Sequence, residues 1–269
     1  MSMRLKALLA IWVCMLPLIS CIGQKDDPGD LIPVEEGEDG STDSGTRFFR
    51  RTLALEFTAL WCQYCPQMGE ALSTAKRERP GRIVEICIHQ GDALSVREAD
   101  AIVKEFKVSA WPSMVFDLDA STRFSEQSKD RMLQYVDAKS GEAPCGIAIE
   151  SILDCTSLEG KVKVTAKKAG DYAVGAVLVE DGIPATQAGV GDNYVNNAVL
   201  RGILLGEDIH GKSVGHLDAG VETEAAFSMN VNDLGENLRI VAYVVQQDRV
   251  VNAEHCPVNE KKSYRYEKD

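Results

Sequence analysis

The sequence predicts two folded parts, an α/β domain over residues 47–141 and an all-β sandwich over 142–269. Three observations predict this. The stretch LEFTALWCQYCP, Leu55 to Pro66, runs from alternating apolar residues into a turn carrying two cysteines and then into helical periodicity. Around it, strand-like and helix-like patterns follow one another as β-α-β-α-β-(β)-α. After Gly141 helical spacing disappears, and short apolar runs are punctuated by Gly, Asp and Asn.

Each element has its own signal. A strand at 52–58 carries Leu53, Leu55 and Phe57 in alternation. The segment 65–79 places Cys65, Met68, Leu72 and Ala75 on one face and stops at Pro80-Gly81, a helix terminator. RIVEICIH, 82–89, reads as a second strand. Residues 94–107 read as a second helix because Ala99, Ile102, Val103 and Phe106 follow the i, i+3, i+4, i+7 spacing. Val108-Ser109-Ala110-Trp111-Pro112 leads to a strand at 113–118, a short strand near Arg123 and Phe124, and a helix over 126–139. Beyond Gly141 strands are expected at 146–153, 161–166, 172–179, 195–205, 222–231, 238–245 and 249–253, the count and spacing of an immunoglobulin-like sandwich.

A helix that begins at the second cysteine aims unpaired N–H groups and the positive end of its dipole at the turn, which favours thiolate over thiol. Cys62 is therefore expected to be reactive and Cys65 shielded. Composition narrows the rest. The formal charge of −12 at pH 7 argues against nucleic acid, whose binding needs a basic surface. Gly206 to Ser213 fits the phosphate-loop pattern GxxxxGK[ST], but Gly215 and Gly220 interrupt the helix that such a loop requires, and Glu207 and Asp208 would repel a phosphate, so no nucleotide is expected.

Arg4 and Lys6 precede an apolar run from Ala7 to Ile19 that is short for a bilayer span, so residues 1–20 read as a signal sequence. Leu18-Ile19-Ser20-Cys21 resembles the lipobox of bacterial lipoproteins, which implies a lipid anchor on Cys21. Gln24-Lys25-Asp26-Asp27 resembles the export signal of surface lipoproteins. Residues 21–46, rich in Asp, Glu, Gly, Ser and Pro, read as an acidic tether. Outside the cytoplasm disulfides persist, so some of Cys87, Cys145, Cys155 and Cys256 are open to pairing, in combinations the sequence leaves undecided.

The first part resembles the thioredoxin fold. The match rests on Trp61-Cys62-x-x-Cys65 after a strand, an acidic residue, Glu56, six positions before the first cysteine, and Trp111-Pro112 before the third strand. The resemblance implies that Pro112 is cis and lies beside the pair, and that Glu56 is buried and handles the proton of Cys65. Trp61, Gln63, Tyr64 and Trp111 would contact the substrate. Signal, lipobox, WCxxCP and a β-rich second half containing DNYVNNAVLR and NLRIVAYVVQ together are similar to the 28-kilodalton outer-membrane lipoprotein family of Bacteroidetes.

The expected function is thiol-disulfide exchange with protein thiols or disulfides. It takes place outside the cytoplasm, on a protein held at the outer membrane and facing either the periplasm or the surface. No cofactor and no metal is expected: as zinc ligands the pair would need two more, and the adjacent His255-Cys256 lies in the other part. The alternative is a surface lipoprotein that binds a protein or glycan through its β-domain, with the pair a structural disulfide. For Glu56 the alternative is an exposed carboxylate on an edge strand. Cys87, in an apolar strand, is expected to be a buried core thiol rather than a redox centre.

Overall fold

A computed structural model describes residues 41–268. The signal sequence, Cys21 and most of the tether lie outside the described residues. Within them the chain begins with β1 (Ser41–Thr42), β2 (Phe48–Phe49), β3 (Thr52–Thr58), α1 (Cys65–Glu78), β4 (Ile83–His89) and α2 (Ala99–Glu105). Next come β5 (Ser113–Phe116), β6 (Asp119–Phe124), α3 (Lys129–Lys139), β7 (Glu142–Ala143), β8 (Cys145–Asp154), β9 (Ser157–Ala166) and β10 (Gly170–Glu180). β11 (Ile183–Gln187), β12 (Gly191–Asn196), β13 (Val199–Leu205), β14 (Lys212–Leu217) and β15 (Glu222–Asn230) follow. The last elements are β16 (Leu238–Gln246), β17 (Arg249–Pro257), β18 (Lys261–Lys262) and β19 (Tyr266–Glu267).

The expectation of an α/β thioredoxin-like domain followed by a separate immunoglobulin-like sandwich is corrected here. Among the described residues three short helices stand against nineteen strands, and one nine-stranded sheet takes strands from both sides of residue 141. Its order is β17-β16-β10-β13-β4-β3-β5-β6, with β14 paired to β10. The join is the parallel neighbour pair β13 and β4, where Val199 faces Cys87 and the Cys87 N–H donates to Ala198 O at 2.7 Å.

The physical reason lies in β10 and β16. Val174, Ala176 and Leu178 of β10, with Ile240, Ala242 and Val244 of β16, pack in one core with Ile147, Ile149, Val162 and Val164 of β8 and β9. This gives a two-layered β-sandwich arrangement. The alternate residues Val177, Val179, Val241, Tyr243 and Val245 enter a second core with Leu53, Leu55, Phe57, Ile86, Ile88 and Phe106. A strand buried on both faces reads as a near-continuous apolar run, as AVLV in β10 and IVAYVV in β16 do. A third core under α1 and α3 joins Ala54, Met68, Leu72, Met114, Phe116 and Met132.

Most helices and strands of the first half form where their periodicity places them. α1 buries Cys65, Met68, Leu72 and Ala75 and has a proline in its first turn, where a missing N–H costs nothing. The second helix is shorter than 94–107, because Asp92 and Ser95 first form a side-chain-capped turn. Ser128 caps α3 by accepting from Arg131 N–H. The run 195–205 is two strands rather than one, broken at Ala198, whose φ is +53°. No helix among the described residues is long and apolar enough to cross a membrane.

Buried charges lock the two halves. Arg51 pairs with Glu254, its N–H donates to Asn252 Oδ1 at 3.0 Å, and its Nε donates to Gly81 O at 2.6 Å. Arg50 pairs with Asp117 of its own half at 2.7 Å, and the same Nη2 reaches across to donate to Val250 O at 3.2 Å. Removing one member of a buried pair leaves an uncompensated charge, so Glu254→Ala is expected to cost about 3 kcal/mol in urea unfolding. A loss below about 1 kcal/mol would mean that this pair does not hold the halves together.

Candidate functional site

β3 ends at Thr58, and the chain turns through Ala59–Tyr64 before entering α1. Cys62 and Cys65 are joined to each other as a disulfide, with Cα atoms 5.5 Å apart. Cys65 opens the helix, and Cys62 lies three residues ahead of it. Several backbone groups of the turn are tied down. Cys62 N–H donates to Ala59 O at 3.1 Å and Cys65 N–H to Cys62 O at 3.4 Å. Leu60 N–H donates to Asp92 Oδ2 at 2.7 Å, and the same carboxylate oxygen is 2.9 Å from His89 Nδ1.

Cys62 sits at the floor of an open cleft of about 330 Å³ that is also lined by Trp61, Gln63, Tyr64, Trp111, Ala188 and Gly189, and Cys65 lies behind it. Trp61 and Tyr64 are 52% and 54% exposed, so two large aromatic rings face solvent at the rim. Trp61 lies 5.7 Å from Trp111, ring centre to ring centre, and its indole N–H donates to Gln90 O. The Trp111–Pro112 bond is cis. Cys62 is only 5% exposed and Cys65 only 2%: the first cysteine lines the cleft without standing proud of it, because Trp111 and the turn at 188–189 flank it.

Glu56 is on an interior strand, between β4 and β5, and is 3% exposed. A Cβ at Gly69 would meet the Tyr194 hydroxyl at 3.5 Å and the two Glu56 carboxylate oxygens at 3.9 and 4.0 Å, so this carboxyl lies directly under α1. Gly69 and Cys65 are four residues apart and share a helix face, which puts Glu56 one turn below Cys65. Burial pushes the Glu56 pKa well above its ordinary value, and the nearby charge of Glu85 adds to this, against a smaller lowering by Lys76 and by Cys87.

Beside it, Cys87 Sγ lies 3.1 Å from Glu85 Oε1 and 3.9 Å from Glu56 Oε2. Burial, then the two carboxylates, raises the Cys87 pKa well above the usual thiol value and keeps it protonated. Glu56, Glu85 and Cys87 offer ligand atoms within 4.8 Å of one another. The cation that meets them is Lys76, whose Nζ donates to Glu85 Oε2 at 2.9 Å. The group is thus an internally matched charge cluster.

The structure brings Glu56, Trp61, Cys62, Gln63, Tyr64, Cys65 and Trp111 into one region. Cys87, Cys145, Cys155 and Cys256 stand as free thiols, so no second bridge forms among the described cysteines. His255-Cys256 lies on β17, and Cys62 and Cys65 are bonded to each other rather than offered as zinc thiolates. The phosphate-loop pattern at 206–213 runs into strand β14 from Lys212, which aims no helix N-terminus at a phosphate.

Sequence reasoning missed the hairpin β11–β12. Gln187 Nε2 donates to Ala59 O at 3.0 Å and Cys62 O at 2.9 Å, and Ala188 N–H donates to Leu60 O at 2.8 Å. Its signal was present as Ala188-Gly189-Val190-Gly191, a glycine-punctuated turn, but Pro184 and the polar residues around it hide the strand.

No curated protein matches this chain. Among solved structures it is similar to HBP35 of Porphyromonas gingivalis, with a TM-score of 0.66 and 15% identity over 82% of this chain and 78% of that one. It is also similar to a protein of Agrobacterium tumefaciens solved by X-ray crystallography, with a TM-score of 0.52 and 12% identity over 78% of this chain and 94% of that one. At such identities the likeness is one of fold. The family model of the outer membrane protein Omp28 matches residues 99–262, well over half of the sequence. The chain belongs to the Omp28 family of outer membrane proteins.

Proposed function

We propose that this outer membrane protein is lipid-anchored through Cys21 and exchanges disulfides with exported protein thiols at Cys62–Cys65. The observation that carries the reading is the placement of the pair: a disulfide at the start of α1, its Cys62 on the floor of an aromatic-rimmed cleft, with a buried carboxyl one helical turn beneath Cys65. A partner thiolate attacks Cys62 Sγ, the Cys62–Cys65 bond breaks, and Cys65 leaves as a thiolate that takes a proton from Glu56. The partner's second thiolate then attacks its own sulfur in the mixed disulfide and releases Cys62. Two electrons pass from the partner to the pair, and the partner is left with a disulfide. Run in reverse, the same steps reduce a partner disulfide. The cleft suits a polypeptide in extended form, with Trp61, Tyr64 and Trp111 gripping the residues around its cysteine, and Gln63 beside them.

A second reading has its own support. The family match covers 99–262 and leaves out both cysteines, so what defines the family lies elsewhere in the chain. On this reading the β-rich half binds a protein or glycan at the cell surface, and the pair only staples the turn. Family membership favours this surface role more directly than it favours exchange, whereas the geometry around the pair favours exchange.

Trapping separates the two. Cys65→Ser, expressed in the cell of origin, is expected to accumulate partners covalently held on Cys62, visible as bands that vanish on reduction and are absent from a Cys62→Ser/Cys65→Ser control. A lane free of such bands would leave only the surface-binding role.

Glu56 has a pH signature. Its folded pKa is raised, so between the ordinary value of 4.5 and the folded value the native chain holds a proton that the unfolded chain has lost. Its stability contribution is complete below 4.5 and disappears as pH rises through the folded value. Glu56→Gln, always neutral, is expected to gain stability relative to the parent as pH is raised from 4 to 9, while slowing release of Cys65 on the order of 100-fold. Parallel stability curves for the two proteins would place the Glu56 carboxyl in water.

A further inference from the structure

The turn at Gln187–Gly191 stands against the cysteine turn although 125 residues separate Gln187 from Cys62. Gln187 is 2% exposed, and its single amide nitrogen uses its two hydrogens on two carbonyls of one loop, those of Ala59 and Cys62. Ala188 N–H holds the carbonyl between them, that of Leu60. Gly189, at φ +83°, lies so close that a Cβ there would sit 2.8 Å from Gln63 O. Only glycine meets both demands at once. The hairpin therefore forms one wall of the cleft and, through Gln187, props its floor.

We infer that Gln187 is a positioning residue of the cysteine site, orienting the Cys62 carbonyl and favouring the thiolate of Cys62; this rests on the exchange reading above. Two carbonyl oxygens near a sulfur that becomes an anion would oppose its charge. Gln187 draws the negative ends of both dipoles toward its own N–H groups, which adds to the positive potential at the start of α1. A partner that would reach Cys62 must also pass along Ala188 and Gly189, so the second half of the chain shapes what the first half can react with.

The test uses the whole protein equilibrated with reduced and oxidised dithiothreitol at pH 7. The disulfide fraction is read by alkylation and mass spectrometry, and the alkylation rate of reduced Cys62 is followed against pH. Gln187→Met keeps length and volume but loses both donors, and is expected to shift the equilibrium toward the disulfide by about fivefold, the worth of one buried hydrogen bond. The alkylation profile should move to higher pH with it. Gln187→Glu, which sets a carboxylate against the same carbonyls, is expected to move both readouts further in the same direction. Thr186→Ala removes a hydrogen bond inside the hairpin, from Oγ1 to Asp192 at 2.6 Å, and is expected to leave both readouts in place. If Gln187→Met and Gln187→Glu lower the melting temperature yet keep the parent's equilibrium and pH profile, Gln187 only holds the hairpin and the inference is overturned. The equilibrium is defined for any reducible pair, so a parent protein that traps no partner removes the exchange reading without deciding what Gln187 does.

Discussion

Two strands that are buried on both faces set the rest of this molecule. β10 and β16 each give one row of side chains to the sandwich core and the other row to the core beneath β3 and β4. Neither row can be exposed without placing several large aliphatic groups in water, at roughly 25 cal/mol per Å² of apolar surface. The two halves of the chain are thereby committed to one sheet, and β13 must lie beside β4. The hairpin β11–β12 connects β10 to β13, so the same commitment delivers Gln187 and Gly189 to the end of β3, where the cysteine turn begins.

Charge follows the same layout. Glu56 and Cys87 face each other across β3 and β4, and Glu85 and Lys76 neutralise one another beside them. Desolvation leaves Glu56 without a cation of its own and so holds its proton in place under α1. The buried pairs Arg51–Glu254 and Arg50–Asp117 lie along the seam between the halves, and each draws its partners from strands or loops distant in sequence. Helix, carboxyl and hairpin converge on six residues of loop because the sheet beneath them is continuous.

Much of this was legible in the sequence. The strand at 52–58, the helix that starts at Cys65 and the strand at 83–89 follow from local periodicity, because each buries one well-marked face. The strands of the second half were legible as strands, but their unbroken apolar runs carry more than strand identity: alternation would have allowed a free-standing sandwich, whereas AVLV and IVAYVV demand cover on two sides. That is where the division into an α/β domain and a sandwich failed. The hairpin was illegible for a different reason. Its strands hold Pro184, Thr186, Gln187 and Asn193 rather than an apolar stripe, since they are fixed by hydrogen bonds to a distant loop. No local pattern encodes the reach of Gln187 to Ala59 and Cys62.

The central claim is that the cysteine turn and the hairpin of the second half form one structural unit. Native-state hydrogen exchange in mild denaturant measures this directly, by comparing the opening free energies of residues 59–65 with those of 183–196. The account predicts that the N–H groups of Cys62, Cys65 and Ala188 open together, with matching free energies and matching dependence on denaturant. A hairpin that opens at far lower free energy while the cysteine turn stays protected would contradict it.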